Sequence, residues 1–287
     1  MMKPALITKR IILIVLLALL PLGGEVFSLQ GQSTGSDSCV GVVDVSQPLL
    51  YQDLQGVTTI TASLLNGEGP TGLALHQKTV VRVGDVITID WWDYLDPQEY
   101  VLRGAKFTIS YDFADPTKKS FSADGSYQVD SQAGTAHIVL PLASGQVIDQ
   151  TVPWFPDSMT ISDWPYHLHS KPLQVGQTYD FHVFYHEFLA LGEDPFFTVH
   201  AEVTGTQQFP LDTSQGRRTC SVYLVKATYQ HVPFKDPFFS AFLGPTPQLI
   251  AQALLTVDSG LILRYSTPFF RTSPAKSVGF SDFLLQL

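Results

Sequence analysis

Three histidines are the residues best suited to bind a metal ion. His167 and His169 are two positions apart, so on a β-strand their side chains would share one face about 6–7 Å apart and could bind one ion. His182 would have to come from an adjacent strand to complete the site. Its neighbour His186 would lie about 13 Å further along an extended chain, too far away to share the ion. Because three convergent ligands are needed, we expect no metal site and favour surface or hydrogen-bonded histidines.

A row of carboxylates accompanies a pair of tryptophans. Acidic residues recur at every third position beside Trp91 and Trp92: Asp90, Asp93, Asp96 and Glu99. The row would suit a calcium loop or a sugar-binding cleft with a carboxylate pair. Calcium loops usually interleave Asp with Gly and Asn, and this stretch lacks that pattern. We therefore interpret it as the end of a strand that runs into an acidic turn at Asp96-Pro97.

Two glycine motifs lack the structural context that their chemistry needs. The segment 31–35 has the G-x-S-x-G spacing of a nucleophile elbow around Ser33, but it lies in a polar stretch and not between a strand and a helix. The segment 67–72 has the G-x-G-x-x-G spacing of a dinucleotide site, but Glu68 would repel the pyrophosphate and no helix is predicted to follow. No combination of a nucleophile and a base remains. The sequence therefore predicts no enzyme and no cofactor.

The first 28 residues have the order of a secretory signal peptide. Three basic residues precede the apolar run Ile11–Leu20, which ends at Pro21, and Val26 and Ser28 occupy the minus-three and minus-one positions of a cleavage site. A membrane-spanning helix needs about 20 apolar residues, more than this run provides. We expect cleavage and export to the periplasm, the cell surface or the medium. A retained N-terminal membrane anchor is the alternative.

Composition indicates an ordered, acidic exported chain. Cleavage would remove three positive charges and one negative charge, which moves the formal net charge from −9 to −11. Such a chain repels phosphate backbones, and its basic residues cluster only as two dipeptides, so we exclude a nucleic-acid partner. With 45% hydrophobic and 15% charged residues, the mature chain is predicted to be globular. Its contact with a membrane would be at most peripheral.

The exported chain is predicted to begin with a linker and continue as one domain. Residues 29–38 are polar, and residues 39–287 are predicted to form a single β domain. The Pro-rich stretch 152–172 is the alternative boundary between two β domains. An even number of cysteines in an exported chain favours one disulfide, Cys39 to Cys220. The alternative is two buried free thiols.

Period-two alternation dominates the chain and predicts a mainly β fold. The predicted strands are Thr58–Ala62, Val86–Trp91, Lys106–Tyr111, His137–Leu140, Tyr179–Phe188, Phe197–Val203, Cys220–Tyr229 and a hairpin of Ala253–Val257 with Leu261–Tyr265. Hairpin turns are predicted at Asp124-Gly125, Ala133-Gly134 and Asp258-Ser259-Gly260. One short helix is predicted at Thr246–Leu254. The fold class is an antiparallel curved sheet, as a half-barrel, or a β-sandwich with few short helices.

Turn signatures in the second half of the chain resemble a known group of envelope proteins. The signatures are Val203–Gln208, Thr213–Gly216, Cys220-Ser221-Val222 and Leu255–Arg264, with Pro153–Gln177 similar to the link that precedes an x-V-G-x-x-Y strand. Their order is similar to that in uncharacterised envelope proteins that share the half-barrel of the lipoprotein carriers LolA and LolB. The resemblance covers roughly residues 81–287. It implies a curved antiparallel sheet around an apolar interior, able in some relatives to hold acyl chains, and it assigns no catalytic residue.

An aromatic, proline-containing segment, residues 231–247, is the candidate for contact with a ligand. Its phenylalanines are Phe234, Phe238, Phe239 and Phe242. They would suit a lid over an apolar cavity or a surface for lipid or a partner. We favour the interpretation that they fill the open edge of a curved sheet.

The sequence as a whole predicts an exported, non-enzymatic β protein of the cell envelope or the extracellular space. Its interior would bind a lipid-like or other apolar ligand, and an envelope protein is a further candidate partner. The alternative function is an extracellular interaction module, a β-sandwich that binds a protein or a glycan. Exposure of Trp91 and Trp92 together beside the carboxylates would favour the glycan.

Overall fold

The computed structural model describes residues 47–142, 146–213, 216–245, 247–271 and 277–286. The predicted signal peptide, the linker and Cys39 lie outside these residues, so export and the disulfide stay predictions. Among the described residues, no helix has both the length and the apolar character needed to cross a bilayer.

Strands make up most of the described chain, with three short helical segments between them. The strands are β1 (Leu49–Asp53), β2 (Thr58–Asn66), β3 (Leu73–Val83), β4 (Asp85–Leu95), β5 (Leu102–Asp112), β6 (Phe121–Asp130), β7 (Thr135–Pro141), β8 (Val147–Pro153), β9 (Ser158–Thr160), β10 (Thr178–Phe184), β11 (Phe196–Thr213), β12 (Gly216–Gln230), β13 (Gln248–Thr256), β14 (Ile262–Arg271) and β15 (Ser277–Gln286). The helical segments are α1 (Trp164–His169), a 3₁₀-helix (His186–Leu191) and α2 (Pro237–Leu243).

All described strands belong to one open, curved sheet, which confirms the predicted fold class. One arm runs from β1 outward to β8, and the other runs from β15 outward to β9. The arms join where β1 pairs with β15. Neighbouring strands are antiparallel except β9 and β10, which are parallel. The two ends of the sheet, β8 and β9, are consecutive in sequence and are linked by residues 154–157.

The sheet has one buried face, here called the inner face, and α1 packs against it. Trp164 and Leu168 of α1 are fully buried. The Trp164 indole Nε1 donates a hydrogen bond to the Ser266 carbonyl (3.2 Å), and Thr267 Oγ1 donates to the Ile161 carbonyl (2.8 Å). The short helix is therefore fixed to β14 by side chains at its start and by apolar burial.

The predicted turns were partly right. Gly134 (φ +64°) and Gly260 (φ +66°) lie in the β6–β7 and β13–β14 turns, where glycine readily adopts a positive φ. The predicted turn at Asp124-Gly125 is wrong, because both residues lie inside β6. Gly125 is opposite Phe107, and a Cβ atom there would come within 2.2 Å of the Phe107 ring. This glycine provides space for a ring and does not form a turn.

The predicted helix at 246–254 is also wrong. From Gln248 onward this segment is β13, in which alternate residues, such as Leu249 and Ala251, are buried while their neighbours are exposed. The predicted strand Tyr179–Phe188 ends at Phe184 and continues into the 3₁₀-helix. Helices α1 and α2 were not predicted. Both carry proline in the first turn, where its missing N–H group costs nothing.

The Pro-rich stretch 152–172 contains β9 and α1, both packed in the common core. Strands on either side of it belong to the same sheet. The stretch therefore connects the two ends of one sheet.

Candidate ligand site on the inner face

A cavity of about 110 Å³ lies between the inner face of β3 and β4 and the segment Thr160–Ser162, which precedes α1. Its walls combine apolar, aromatic and uncharged polar side chains: Gln77, Thr79, Ile89, Trp91, Thr160, Ile161, Ser162, Phe184 and His186.

Strand register brings four of these side chains into one patch. Gln77 is directly opposite Trp91, and Thr79 is directly opposite Ile89. Residues two apart on a strand share a face, so the four side chains form a compact wall of the cavity.

Aromatic packing holds the Trp91 ring in place. Trp91 stacks on Phe107 with 4.1 Å between ring centroids and a 4° interplanar angle, in the space that Gly125 leaves open. Tyr127 meets Trp91 edge-on at 5.5 Å, and His186 stacks near it at 5.6 Å. The cavity therefore has one rigid aromatic side.

Two buried carboxyl groups lie directly behind this lining. Trp91 Nε1 donates a hydrogen bond to Asp93 Oδ1 (2.6 Å), and Thr160 Oγ1 donates to Asp163 Oδ2. Burial raises the pKa of Asp93 well above its usual value, and the nearby carboxyl group of Asp163 raises it further. Protonated Asp93 can then donate a hydrogen bond to Asp163. Two ionised carboxylates could not form this hydrogen bond, because neither would carry a proton.

Burial shifts the pKa of two adjacent titratable groups, one in the cavity wall and one beside it, toward the uncharged form. Burial lowers the pKa of His186 to about 4, which keeps the imidazole neutral. Burial also raises the pKa of Glu187 to about 7, against the opposing hydrogen bond that the Tyr185 hydroxyl donates to it. None of the described lining residues is Lys or Arg.

One lining side chain has an unused hydrogen-bond donor. Gln77 is only 4% exposed, and its Nε2 has no hydrogen-bond partner within the described chain. An unpaired buried donor typically costs about 1–3 kcal/mol, and such groups are uncommon in native interiors. An acceptor on a ligand in the cavity would pair with it.

The candidate metal ligands His167 and His169 do not lie on a strand, as the predicted metal geometry would require. They lie on α1, so residues two apart point about 200° away from each other. Burial lowers the pKa of His167 to about 4, and His169 is exposed. His182 pairs with Asp157 (2.8 Å) and stacks on Phe155. Across the described ranges, no group of three His, Cys, Asp or Glu side chains is arranged to hold a metal ion.

The two tryptophans of the acidic row lie on opposite faces of β4. Trp91 faces the cavity, whereas Trp92 lies on the outer face and stacks on His76 at 4.1 Å. Asp90 is hydrogen-bonded to His76 (2.7 Å), and Asp93 is fully buried. The pair therefore does not form the joint exposed surface that would favour a glycan.

The predicted acidic turn at the end of β4 is confirmed. Asp96 directly follows the strand, and its Oδ1 accepts hydrogen bonds from the backbone N–H groups of Gln98 and Glu99, both at 3.0 Å. Arg103 pairs with the other carboxylate oxygen at 3.4 Å. These contacts account for Asp96 as a turn residue.

The phenylalanines of segment 231–247 divide into two pairs. Phe234 and Phe239 are buried and contact Phe188 of the 3₁₀-helix at centroid distances of 5.2 and 5.9 Å. Phe238 and the exposed Phe242 stack on each other at 5.9 Å on α2. The first pair extends the core, Phe238 is half-buried against that core, and only Phe242 is exposed.

Cys220 is fully buried on β12, opposite Phe209. Its predicted partner, Cys39, lies outside the described residues. The disulfide therefore stays a prediction.

The sequence interpretation missed Gln77, Thr79, the segment 160–162 and the role of His186 in the cavity. One signal was present on β3, where the inner row begins Leu73, Leu75 and then changes to Gln77, Thr79. This change from leucine to polar residues indicates a polar patch on a buried face. It can be recognised only once it is known which face of β3 is buried.

Comparison of the chain with family models, with curated proteins and with solved structures found no match. The resemblance to the lipoprotein-carrier half-barrel thus remains a prediction that rests on the turn signatures. What the structure adds is the curved sheet and the cavity on its inner face.

Proposed function

We propose that this chain is an exported, non-enzymatic protein of the cell envelope or extracellular space that binds a lipid-like or other apolar ligand on the inner face of its sheet. The observation that carries the proposal is the cavity between Trp91 and the segment Thr160–Ser162. Ile89, Ile161 and Phe184 supply apolar walls, as in most small-molecule sites. The signal-peptide order of the first 28 residues supports export.

The size of the cavity limits what it accepts in this conformation. Typical ligand sites enclose about 300–1,000 Å³, and this cavity encloses about 110 Å³. A short ligand, or one end of a longer one, fits while α1 stays in place. A complete acyl chain would have to displace Thr160–Ser162 and α1, which joins β14 through the hydrogen bonds at Trp164 and Thr267.

Ligand binding is tested by calorimetric titration of the purified chain with toluene, an apolar probe short enough for the cavity, together with mass spectrometry of organic extracts for co-purified lipid. Thr79→Phe fills the cavity and should weaken probe binding by about tenfold or more. Thr198→Phe adds the same ring at an exposed position of β11 and serves as the control. Absence of both probe binding and extracted lipid, or equal binding by the two variants, would overturn the proposal.

A further inference from the structure

We infer that the part of the ligand that enters the cavity is uncharged and carries a hydrogen-bond acceptor, such as an ester or amide carbonyl. The inference rests on the proposed function and specifies the chemistry of the same site. It follows from three properties of the cavity wall: an unpaired donor, buried acidic groups without a cation, and an apolar remainder.

The unpaired donor is the amide of Gln77. This side chain lines the cavity, is 4% exposed, and offers Nε2 without a partner in the described chain. An amide nitrogen is a donor only, so the group that satisfies it must be an acceptor. Trp91, directly opposite on β4, already donates its indole N–H to Asp93, which leaves its ring face to pack on the ligand.

The surroundings disfavour an anionic ligand. Asp93 and Asp163 lie one hydrogen bond behind Trp91 and Thr160, and Glu187 follows the lining residue His186. A carboxylate or phosphate in the cavity would add negative charge beside these groups. No Lys or Arg among the described lining residues would compensate it. Burial of an unpaired charge is costly, so an acid should bind much more weakly than its ester.

A cationic ligand is disfavoured for a different reason. Asp93 and Asp163 do not line the cavity, and Asp93 Oδ1 and Asp163 Oδ2 accept hydrogen bonds from Trp91 and Thr160 behind its wall. An ammonium group would lose its hydration without direct contact with a carboxylate, and it would place one donor against another at Gln77. The remaining walls, Ile89, Ile161 and Phe184, suit a hydrocarbon body.

The direct test is a calorimetric titration of the full exported chain at pH 7.5 with three ligands of similar size: methyl hexanoate, hexanoate and hexylamine. We expect the ester to bind at least about tenfold more tightly than either ion. Equal or tighter binding of hexanoate or of hexylamine would overturn the inference. Toluene, which lacks a strong acceptor, is the reference ligand.

The role of Gln77 is tested with the substitution Gln77→Leu. It should weaken ester binding by about 3- to 10-fold, the value of one hydrogen bond, and leave toluene binding unchanged. Gln77→Asn keeps an amide but withdraws it by one methylene, so it should give an intermediate loss.

The two proposals fail in different ways. If neither toluene nor the ester binds the wild-type chain, the proposed function fails. If toluene binds but Gln77→Leu leaves ester affinity unchanged, the chemical assignment alone fails. An unchanged circular dichroism spectrum shows that the variant is folded.

Discussion

At the scale of single residues, the cavity depends on a glycine, which has no side chain and so leaves space for a neighbouring ring. Gly125 on β6 leaves the space in which Phe107 lies flat against Trp91. From the sequence alone, Asp124-Gly125 is indistinguishable from a tight hairpin turn, because the local signal for both is the same pair of residues. The Phe107 ring that requires the glycine is 18 positions away in the sequence. Only the β5–β6 register shows that the two residues are directly opposite each other.

Gly125→Ala should therefore destabilise the protein. The added Cβ would lie 2.2 Å from the Phe107 ring and 2.8 Å from the Val139 carbonyl oxygen. Overpacking of this kind costs about 1–3 kcal/mol, measurable by urea denaturation followed by tryptophan fluorescence. Gly205→Ala is the control, because a Cβ atom added there would meet no described atom within 4 Å. Equal effects of the two substitutions would contradict the assigned role of Gly125.

The buried acid Asp93 should make stability decrease with increasing pH. Its pKa is raised in the folded protein, so the folded state keeps a proton that the unfolded chain releases near the ordinary value of 3.8. The stabilisation that this retained proton gives is fully present below pH 3.8 and is lost as the pH rises through the pKa of Asp93 in the folded protein. Asp93→Asn remains neutral and keeps an N–H donor toward Asp163.

The free energy of unfolding of Asp93→Asn relative to wild type should accordingly increase from pH 4 to pH 8. Urea titrations at one-unit intervals measure this difference, and all other titrating groups are common to both proteins. A difference that stays constant over this range would show that Asp93 is ionised in the folded protein.

At the scale of elements, local periodicity predicted strands better than it predicted helices. β13 shows why: its alternation of Leu249, Ala251 and Ala253 was available in the sequence, but Pro247 suits the first turn of a helix and led to the prediction of one. α1 and α2 have six and seven residues, too few for a recognisable 3.6-residue pattern. Their stability comes from the core that they contact, which no local window contains.

Helix α2 offers a matched pair of substitutions. Phe239 is fully buried against Phe188 and Phe234, whereas Phe242 on the same helix is 53% exposed. Phe239→Ala should lower the free energy of unfolding by about 3–5 kcal/mol, and Phe242→Ala should change it by less than about 0.5 kcal/mol. Thermal and urea denaturation measure both. Similar effects would mean that segment 231–247 is not part of the core.

At the scale of the whole molecule, the first described strand of the chain, β1, pairs with the last, β15, in the middle of the sheet. Tyr51 of β1 is directly opposite Leu285 of β15. Turn chemistry predicts which consecutive strands form hairpins, but it contains no information on which distant strands close the sheet. For this reason the curved sheet was predictable as a class, whereas its order and the cavity between β3, β4 and the segment before α1 were not.

The predicted disulfide would act at the same scale. A bridge from Cys39 to Cys220 closes a long loop, and by the chain-entropy model it would add about 5 kcal/mol to stability. Labelling of the denatured, unreduced chain with a thiol reagent should then add no mass, and Cys39→Ser should lower the melting temperature. Two labelled thiols in the unreduced chain would rule out the bridge.

The most direct measurement of the central claim is an NMR titration of the purified chain with methyl hexanoate. The signals to follow are the side-chain amide of Gln77 and the indole N–H of Trp91, with the indole of Trp92, on the outer face of β4, as the internal reference. We predict saturable shifts of the Gln77 and Trp91 signals and no shift of Trp92. A ligand that saturates the protein without moving Gln77 and Trp91, or that moves Trp92 alone, would contradict a binding site on the inner face.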